Sequence, residues 1–214
     1  MQENENDIVP AGLKDDESVL AGFFDEHRER LWRTVNFRLD RKLVGRVDPD
    51  DVLQEAYLAA AQRLHHFEGD TATSLFIWLR LIVNQTMVDV HRRHLGAQMR
   101  DADREISIDG RHYKNAATSM SITFHLLGQL TSPSQAAVRA ELTQLVEEAL
   151  EAMDPIDREV LALRHFEELS NSEVAAALDI QQKAASIRYV RAVKRLKSVL
   201  ARVPGFYDDE SQIT

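Results

Sequence analysis

The chain has 214 residues, a net charge of −9, 44% hydrophobic and 29% charged residues, and no cysteine. This composition fits a soluble globular protein of one domain or two small ones, and the missing cysteines exclude disulfides, thiolate catalysis and cysteine-ligated metal centres. No apolar run reaches the roughly 20 residues of a transmembrane helix, and the first ten residues lack the features of a signal peptide, so we expect a cytoplasmic protein.

The N-terminal half predicts an acidic arm followed by helices. Residues 1–17 carry six acids against one lysine and show no apolar period, which is typical of a flexible arm. Apolar residues at helical spacing over 19–43 predict one long helix or two short ones. In VDPDDVLQEAYLAAAQRL, Asp48 can cap a helix that starts at Pro49 and ends near residue 67. The stretch TATSLFIWLRLIVNQTMVDVHRRHL predicts a further helix, with Trp78 on its buried side.

The C-terminal half begins with a polar stretch, 99–132, that lacks a sustained period and predicts a flexible linker with at most one short helix. The start signals SPSQ (132–135) and DP (154–155) each predict a helix. Ser170 and Glu173 form a capping box before the short helix EVAAAL, and a tight turn at Asp179 leads into a last helix that ends near residue 202.

No segment shows the alternation of a β-strand. We therefore predict an all-α fold, with two small helical domains joined by a flexible linker and a helix-turn-helix in the C-terminal domain.

The last helix separates charge from apolar residues. Seven bases and no acid occur between residues 182 and 202, and the bases fall on about half of the helix circumference. Ile187 and Val190 are apolar residues on that basic half. In a helix-turn-helix the second helix enters the major groove, where bases hold phosphates and apolar side chains meet thymine methyls. An ordinary solvated basic face is the alternative interpretation.

Acidic residues concentrate just before this helix, with ten acids and two arginines between residues 141 and 173. We expect this acidic face, or the acidic arm, to screen the basic helix in the free protein.

Three stretches occur in order along the chain: DPDDVLQEAYLAA, FIWLRLIVNQTMVDVHRRH and LRHFEELSNSEVAAALDIQQKAASIRYVRAVKRL. Together they resemble the extracytoplasmic-function (ECF) sigma factors, the small type of bacterial RNA polymerase sigma subunit. The resemblance implies an acidic arm (1–17), a sigma domain that binds core polymerase and recognises and melts the minus-ten element (18–98), the linker (99–132), a sigma domain that recognises the minus-thirty-five element (133–203), and an acidic tail (204–214).

The same resemblance implies site residues. Core-polymerase binding falls on Asp51, Gln54 and Glu55. Minus-ten DNA binding falls on Arg80, Asn84, His91, Arg92 and Arg93, with Asn84 as the residue that bonds a flipped base. Minus-thirty-five DNA binding falls on Lys183, Ser186, Ile187, Arg188, Val190, Arg191, Lys194 and Arg195. The family often has other residue types at Asp179, Gln181 and Ser186, so its DNA sequence preference does not carry over.

The sequence contains no nucleotide-binding, metalloprotease or di-iron motif, and we expect no enzyme activity, metal or cofactor. The resemblance implies core RNA polymerase and promoter DNA as partners and leaves an anti-sigma factor or a regulatory kinase open; no membrane insertion is expected. Two alternatives stay open: a stand-alone helix-turn-helix transcription regulator that binds operators as a dimer, and a helical adaptor whose basic helix binds an acidic protein.

Overall fold

The computed structural model describes residues 7–14, 17–95, 115–127 and 136–201. Over these ranges the regular structure is helical, and the β-type pairing is limited to an isolated bridge between Val44 and Val47. The chain divides into two compact units, residues 1–112 with 175–179 and residues 113–174 with 180–214. The predicted all-α fold in two helical units is confirmed. None of the helices in the described ranges is both long enough and apolar enough to cross a membrane.

Among the described residues, the first unit contains four complete helices: α1 (Glu17–Glu26), α2 (Arg28–Arg38), α3 (Pro49–Arg63) and α4 (Ala72–Leu95). A 3₁₀ turn at Leu64–His66 extends α3 almost to the predicted end of this helix. Helix α4 packs against α2 and α3. The apolar residues recur at helical spacing and so meet in one core. Its fully buried members include Leu20, Leu31, Leu53, Leu75, Phe76 and Leu79.

Side-chain caps fix where α3 and α4 begin. The Asp48 carboxylate accepts a hydrogen bond from the Asp50 N–H at 2.9 Å, which confirms the cap predicted before Pro49. At the start of α4, the Ser74 N–H donates to Thr71 Oγ1 at 3.0 Å and the Thr71 N–H donates to Ser74 Oγ at 3.1 Å. Each such cap stabilises its helix by about 1 kcal/mol because it satisfies an N–H that has no partner within the helix.

The N-terminal segment differs from the predicted flexible arm at residues 7–14. Leu13 is buried, at 3% exposure, and lines a cleft with Phe67. The Asp7 carboxylate accepts a hydrogen bond from the Thr73 N–H at 2.7 Å, in the first turn of α4. This docking needs one buried side chain and one cap rather than a periodic apolar face, so the sequence pattern did not reveal it. The rest of the predicted arm, residues 1–6 and 15–16, lies outside the described residues.

Among the described residues, the helices that follow are α5 (Asn115–Leu127), α6 (Ala136–Glu151), α7 (Pro155–Leu161), α8 (Asn171–Leu178) and α9 (Gln182–Leu200). They lie in the second unit, except for residues 175–178 at the end of α8. Helix α7 continues as a π-helical turn at Ala162–Phe166. Helix α9 packs against α7 and α6. The predicted helix start at 132–135, the predicted acidic tail at 204–214 and the linker residues at 99–114 and 128–132 lie outside the described residues.

Helix α5 is a short helix of the kind that the linker prediction over residues 99–132 allowed. It spans 13 residues and packs against α6 and α7. Hydroxyl groups alternate with apolar groups on its buried side, so the apolar period is weak even though the helix has a buried face. These buried side chains are Thr118, Ser119, Ile122, Thr123 and Leu127.

A buried arginine joins three helices of this unit. Arg158 is 2% exposed, and its Nη1 donates to Ser119 Oγ at 3.0 Å and to the Leu150 carbonyl at 2.9 Å. Burial lowers the pKa of Arg158, and the charges of Glu151 and Glu159 act in the opposite direction. An arginine nevertheless stays protonated at neutral pH, so the unit contains a fixed internal cation that α5, α6 and α7 must solvate.

Candidate nucleic-acid and partner interfaces

The C-terminal helix-turn-helix consists of α8, a short turn and α9. Ser170 and Glu173 form the predicted capping box: the Ser170 N–H donates to Glu173 Oε2 at 2.7 Å, and the Glu173 N–H donates to Ser170 Oγ at 3.2 Å. Asp179 adopts the left-handed conformation with φ 53°, a position that favours glycine. Gln181 is the N-cap of α9 and its side chain makes no capping hydrogen bond. The predicted tight turn at Asp179 is confirmed.

One asparagine, which its sequence pattern did not identify as a site residue, connects the two ends of the turn. The Asn171 Nδ2 donates to the Gln182 carbonyl at 2.9 Å, and its Oδ1 accepts a hydrogen bond from Ser186 Oγ at 3.1 Å. The hydroxyl of Ser186, a predicted DNA-binding residue, is therefore committed to holding the first turn of α9. An asparagine at the start of a helix is a common capping residue, and that local signal hides its longer-range contact.

Helix α9 has the two faces that the sequence predicted. Its buried face consists of Ala185, Ala192, Leu196 and Leu200. On the other side Ile187 is 57% exposed and Val190 is 66% exposed, among exposed basic residues. Apolar side chains exposed within a cationic face cost hydration free energy in the isolated protein and become useful when a partner covers them.

Two of the basic residues on α9 are held by acids at the start of α7. Asp157 Oδ1 accepts from Arg188 Nη1 at 2.6 Å and from Arg191 Nη2 at 2.7 Å, and Asp157 Oδ2 accepts from Arg191 Nε at 2.5 Å. Asp154 Oδ1, which also caps α7, lies 3.2 Å from Arg188 Nη1. Burial alone would raise the pKa of Asp157, but the hydrogen bonds and charges of Arg191 and Arg188 outweigh it and hold this pKa below its ordinary value.

In the first unit, the predicted polymerase-binding residues lie on the exposed face of α3. Asp51, Gln54 and Glu55 are exposed, opposite the buried face of Val52, Leu53, Ala56 and Ala60. Leu58 continues this face by one turn and is 56% exposed. The four residues form what we call the α3 stripe: Asp51, Gln54, Glu55 and Leu58. The sequence did not identify Leu58 as a surface residue, because a leucine at helical spacing predicts a buried position.

The structure places the members of the α3 stripe in different surroundings. Asp51 and Gln54 line an open cleft of about 310 Å³, at which Arg28 forms an ion pair with Asp50 at 3.0 Å. Glu55 instead pairs with Arg93 of α4 at 2.5 Å, and this hydrogen bond raises the pKa of Arg93.

The predicted minus-ten residues of α4 divide into buried and exposed groups. Arg92 and Arg93 are exposed at the end of the helix. Asn84 is half-buried, and its Oδ1 is buried without a hydrogen-bond partner in the described part of the chain. Arg80 is only 9% exposed, so little of it can reach a nucleic acid. Trp78 is half-buried, with its ring centroid 5.4 Å from that of Phe67, in agreement with a packing role.

His91 is placed differently from its predicted role as a strand contact. It is 6% exposed, and its Nε2 accepts a hydrogen bond from the Asp40 N–H at 3.2 Å. Burial lowers the pKa of His91 and keeps the ring neutral, although the charge of Asp40 acts in the opposite direction. A side chain that caps a neighbouring loop from inside the core cannot lie along a DNA strand. Within the described ranges, no group of three or more histidines and carboxylates is placed to hold a metal ion.

Two known protein families match separate parts of the chain. The sigma-70 region 2 family matches residues 23–95, and the sigma-70 region 4 family matches residues 143–196. The chain therefore belongs to the sigma-70 family of RNA polymerase sigma factors.

Individual relatives indicate the type of sigma factor. The chain is 28% identical over 150 residues to the ECF RNA polymerase sigma-E factor of Escherichia coli K12. This alignment covers 68% of this chain and 70% of that protein. The chain is 26% identical over 154 residues to the RNA polymerase sigma-H factor of Pseudomonas aeruginosa, which covers 72% of this chain and 73% of that protein. With both sigma regions present, it is an ECF-type sigma factor that directs promoter-specific transcription initiation by RNA polymerase. The alternative of a stand-alone regulator is not favoured.

A solved structure of CnrH in complex with the cytosolic domain of CnrY aligns with 89% of this chain and 93% of that chain, at 21% identity and a TM-score of 0.46.

Proposed function

We propose that the three surfaces described above divide the work of initiation at the level of individual residues: α9 reads the minus-thirty-five element, the α3 stripe binds core polymerase, and the end of α4 contacts the minus-ten strand. The observation that carries this proposal is the pair of exposed apolar residues, Ile187 and Val190, within the basic face of a helix-turn-helix helix. The proposed domains extend over residues 18–98 and 133–203.

On α9 the cationic side chains hold the phosphates and the apolar pair reads the bases. Lysine and arginine supply most of the affinity for DNA, largely independent of sequence. Thymine presents a methyl group in the major groove, and an aliphatic side chain buried against it discriminates between bases. The phosphate contacts are assigned to Lys183, Arg188, Arg191, Lys194 and Arg195. Ile187 and Val190 face the base edges, and Ser186 supports them through Asn171.

On α3 the polar residues supply specificity and Leu58 supplies apolar contact area. Carboxylates such as Asp51 and Glu55 form charge-assisted hydrogen bonds with arginines of a partner helix. An exposed leucine one turn away is the kind of anchor that a partner buries at the centre of an interface. The α3 stripe therefore fits an arginine-bearing helical surface of core polymerase.

On α4 the exposed Arg92 and Arg93 hold the backbone of the melted strand, and Asn84 lies on the same helix two turns earlier. An unpaired amide oxygen can accept a hydrogen bond from an extruded base once local rearrangement exposes it. His91 and Arg80 support this helix from its buried side instead of touching DNA.

This function needs no cofactor or enzyme activity of the chain itself, and it places the chain wherever core polymerase works, in the cytoplasm. An anti-sigma factor or a regulatory kinase would control how much of the chain reaches core polymerase.

The apolar pair can be tested with promoters that lack thymine methyls. A promoter identified by run-off transcription with core polymerase is rebuilt with uracil in place of thymine in its upstream element. Initiation by the unaltered chain should fall by about fourfold for each methyl group that α9 contacts. A double variant with Ile187→Ala and Val190→Ala should lose activity on the thymine promoter and show no further loss on the uracil promoter.

Met120→Ala is the matched control, because Met120 is also an exposed apolar residue, at 52%, but lies on α5. This control should respond to uracil as the unaltered chain does. If the Ile187 and Val190 double variant responded to uracil as strongly as the control, the apolar pair would not read the thymine methyls.

A further inference from the structure

We propose that Asp157 is a positioning residue for promoter recognition: its carboxylate fixes the guanidinium groups of Arg188 and Arg191 in the orientation in which they meet the minus-thirty-five backbone. The proposal rests on the DNA-reading role of α9 proposed above. It adds Asp157, a buried residue, to the residues of α9 that are proposed to contact DNA.

The Asp157 contacts differ from a salt bridge between two exposed side chains. The Asp157 side chain is only 6% exposed, whereas those of Arg188 and Arg191 are 26% and 57% exposed. Arg191 is held at two points, through Nε to Oδ2 and through Nη2 to Oδ1. A planar guanidinium held at two points cannot rotate about its own axis, so its remaining edge has a fixed direction.

Asp157 can orient the two arginines because its own position is fixed. It lies in the first turn of α7, where the Asp154 side chain accepts hydrogen bonds from the N–H groups of Ile156 and Asp157. Helix α7 in turn packs against α9. The buried carboxylate therefore moves with the core of the unit, and the two long arginine side chains adapt to it.

Holding the arginines before DNA arrives reduces the entropy that binding must remove. A free arginine side chain loses about 0.5–1.5 kcal/mol of conformational freedom when an interface immobilises it. Arg188 and Arg191 have lost much of this freedom already in the unbound protein. The more exposed Arg191 still presents Nη1, which takes no part in its bonds to Asp157.

A contrary role for Asp157 is to mask the arginines by neutralising them, as the acidic face was expected to do. A mask must leave when DNA arrives. Asp157 cannot leave, because it is buried within the first turn of a helix that packs against α9. This burial favours positioning over masking.

The test measures promoter affinity of the full chain in complex with core polymerase, by fluorescence anisotropy of a labelled promoter fragment. Removing one acid from a DNA-binding unit should by itself strengthen binding, since it makes the unit more positive. The control Glu148→Gln, on an exposed residue of α6, should therefore leave affinity unchanged or slightly raise it. Positioning predicts the opposite for Asp157→Asn, a loss of about fivefold to tenfold.

A double-mutant cycle separates positioning from a purely structural role. In a background with Arg188→Gln and Arg191→Gln, Asp157→Asn should change affinity by less than about twofold, because the groups it acts through are gone. A structural defect would persist in that background. Asp157→Glu keeps the charge but is one methylene longer, and it should also weaken binding, which keeps the test valid if Asp157→Asn fails to fold.

The remaining outcomes show whether the positioning proposal alone fails or the proposed role of α9 fails as well. Tighter binding by Asp157→Asn would establish a mask and overturn positioning. An unchanged affinity in both Asp157 variants would overturn positioning while leaving the reading role of α9 intact. If the arginine double variant itself bound the promoter as well as the unaltered chain, the proposed role of α9 would fail, and positioning would fail with it.

Discussion

Replacing Leu13 with alanine tests the docking of residues 7–14 on the first unit. Leu13 is 3% exposed and lines a cleft with Phe67. A leucine-to-alanine change in a rigid core costs about 2–5 kcal/mol. A terminal segment can lose no more than its own docking free energy, so we expect the lower end, about 2 kcal/mol. In a unit of this size, that loss lowers Tm by about 10 °C.

Urea unfolding followed by tryptophan fluorescence measures this loss in the first unit, because both tryptophans of the chain, Trp32 and Trp78, belong to it. Ile8→Ala is the matched control, since Ile8 belongs to the same segment but is 71% exposed. The control should stay within about 0.5 kcal/mol of the unaltered chain. Equally small effects of the two variants would refute the docking and restore the flexible arm that the sequence predicted.

Three further predictions concern His91, Arg158 and Gln181. The pKa of His91 is lowered in the folded state, so its stabilising contribution is present above the ordinary value of 6.5 and is lost as pH falls below it. Between pH 7.5 and 5.5, His91→Gln should therefore lose less free energy of unfolding than the unaltered chain, measured by tryptophan fluorescence. Equal losses in the two proteins would contradict the buried, neutral state of His91. Arg158→Met should destabilise the second unit by about 2–3 kcal/mol, measured as faster hydrogen exchange in α5, because Ser119 and the Leu150 carbonyl lose their donor. Gln181→Ser should stabilise α9 by about 0.5–1 kcal/mol, seen as slower exchange of its first turn than in Gln181→Ala, and no difference between these two variants would argue against the missing cap.

The features that the sequence predicted well are local ones. The caps at Asp48, Asp154 and Ser170, and the tight turn at Asp179, each depend on residues within three positions of one another. The two faces of α9 follow from the helical period alone, and the exposure of Ile187 and Val190 agrees with it.

The features that the sequence did not predict join distant parts of the chain. Asp157 meets arginines 31 and 34 positions later, and Asp7 caps a helix 66 positions later. His91 reads as an exposed residue in a basic run, yet it is buried against Asp40, 51 positions earlier. Periodicity identifies which residues share a face, but it does not show which side chain a distant segment will bring to that face.

The proposed function requires above all that the basic face of α9 acts on the promoter while α3 binds core polymerase. Lys183→Glu with Lys194→Glu reverses two exposed charges on that face, and neither lysine takes part in the contacts of Asp157. In run-off transcription with core polymerase, we expect this double variant to bind core polymerase normally and to lose promoter-specific transcripts by roughly 100-fold, since like charges at a phosphate backbone cost several kcal/mol. Transcripts of unchanged yield and start site would contradict the account.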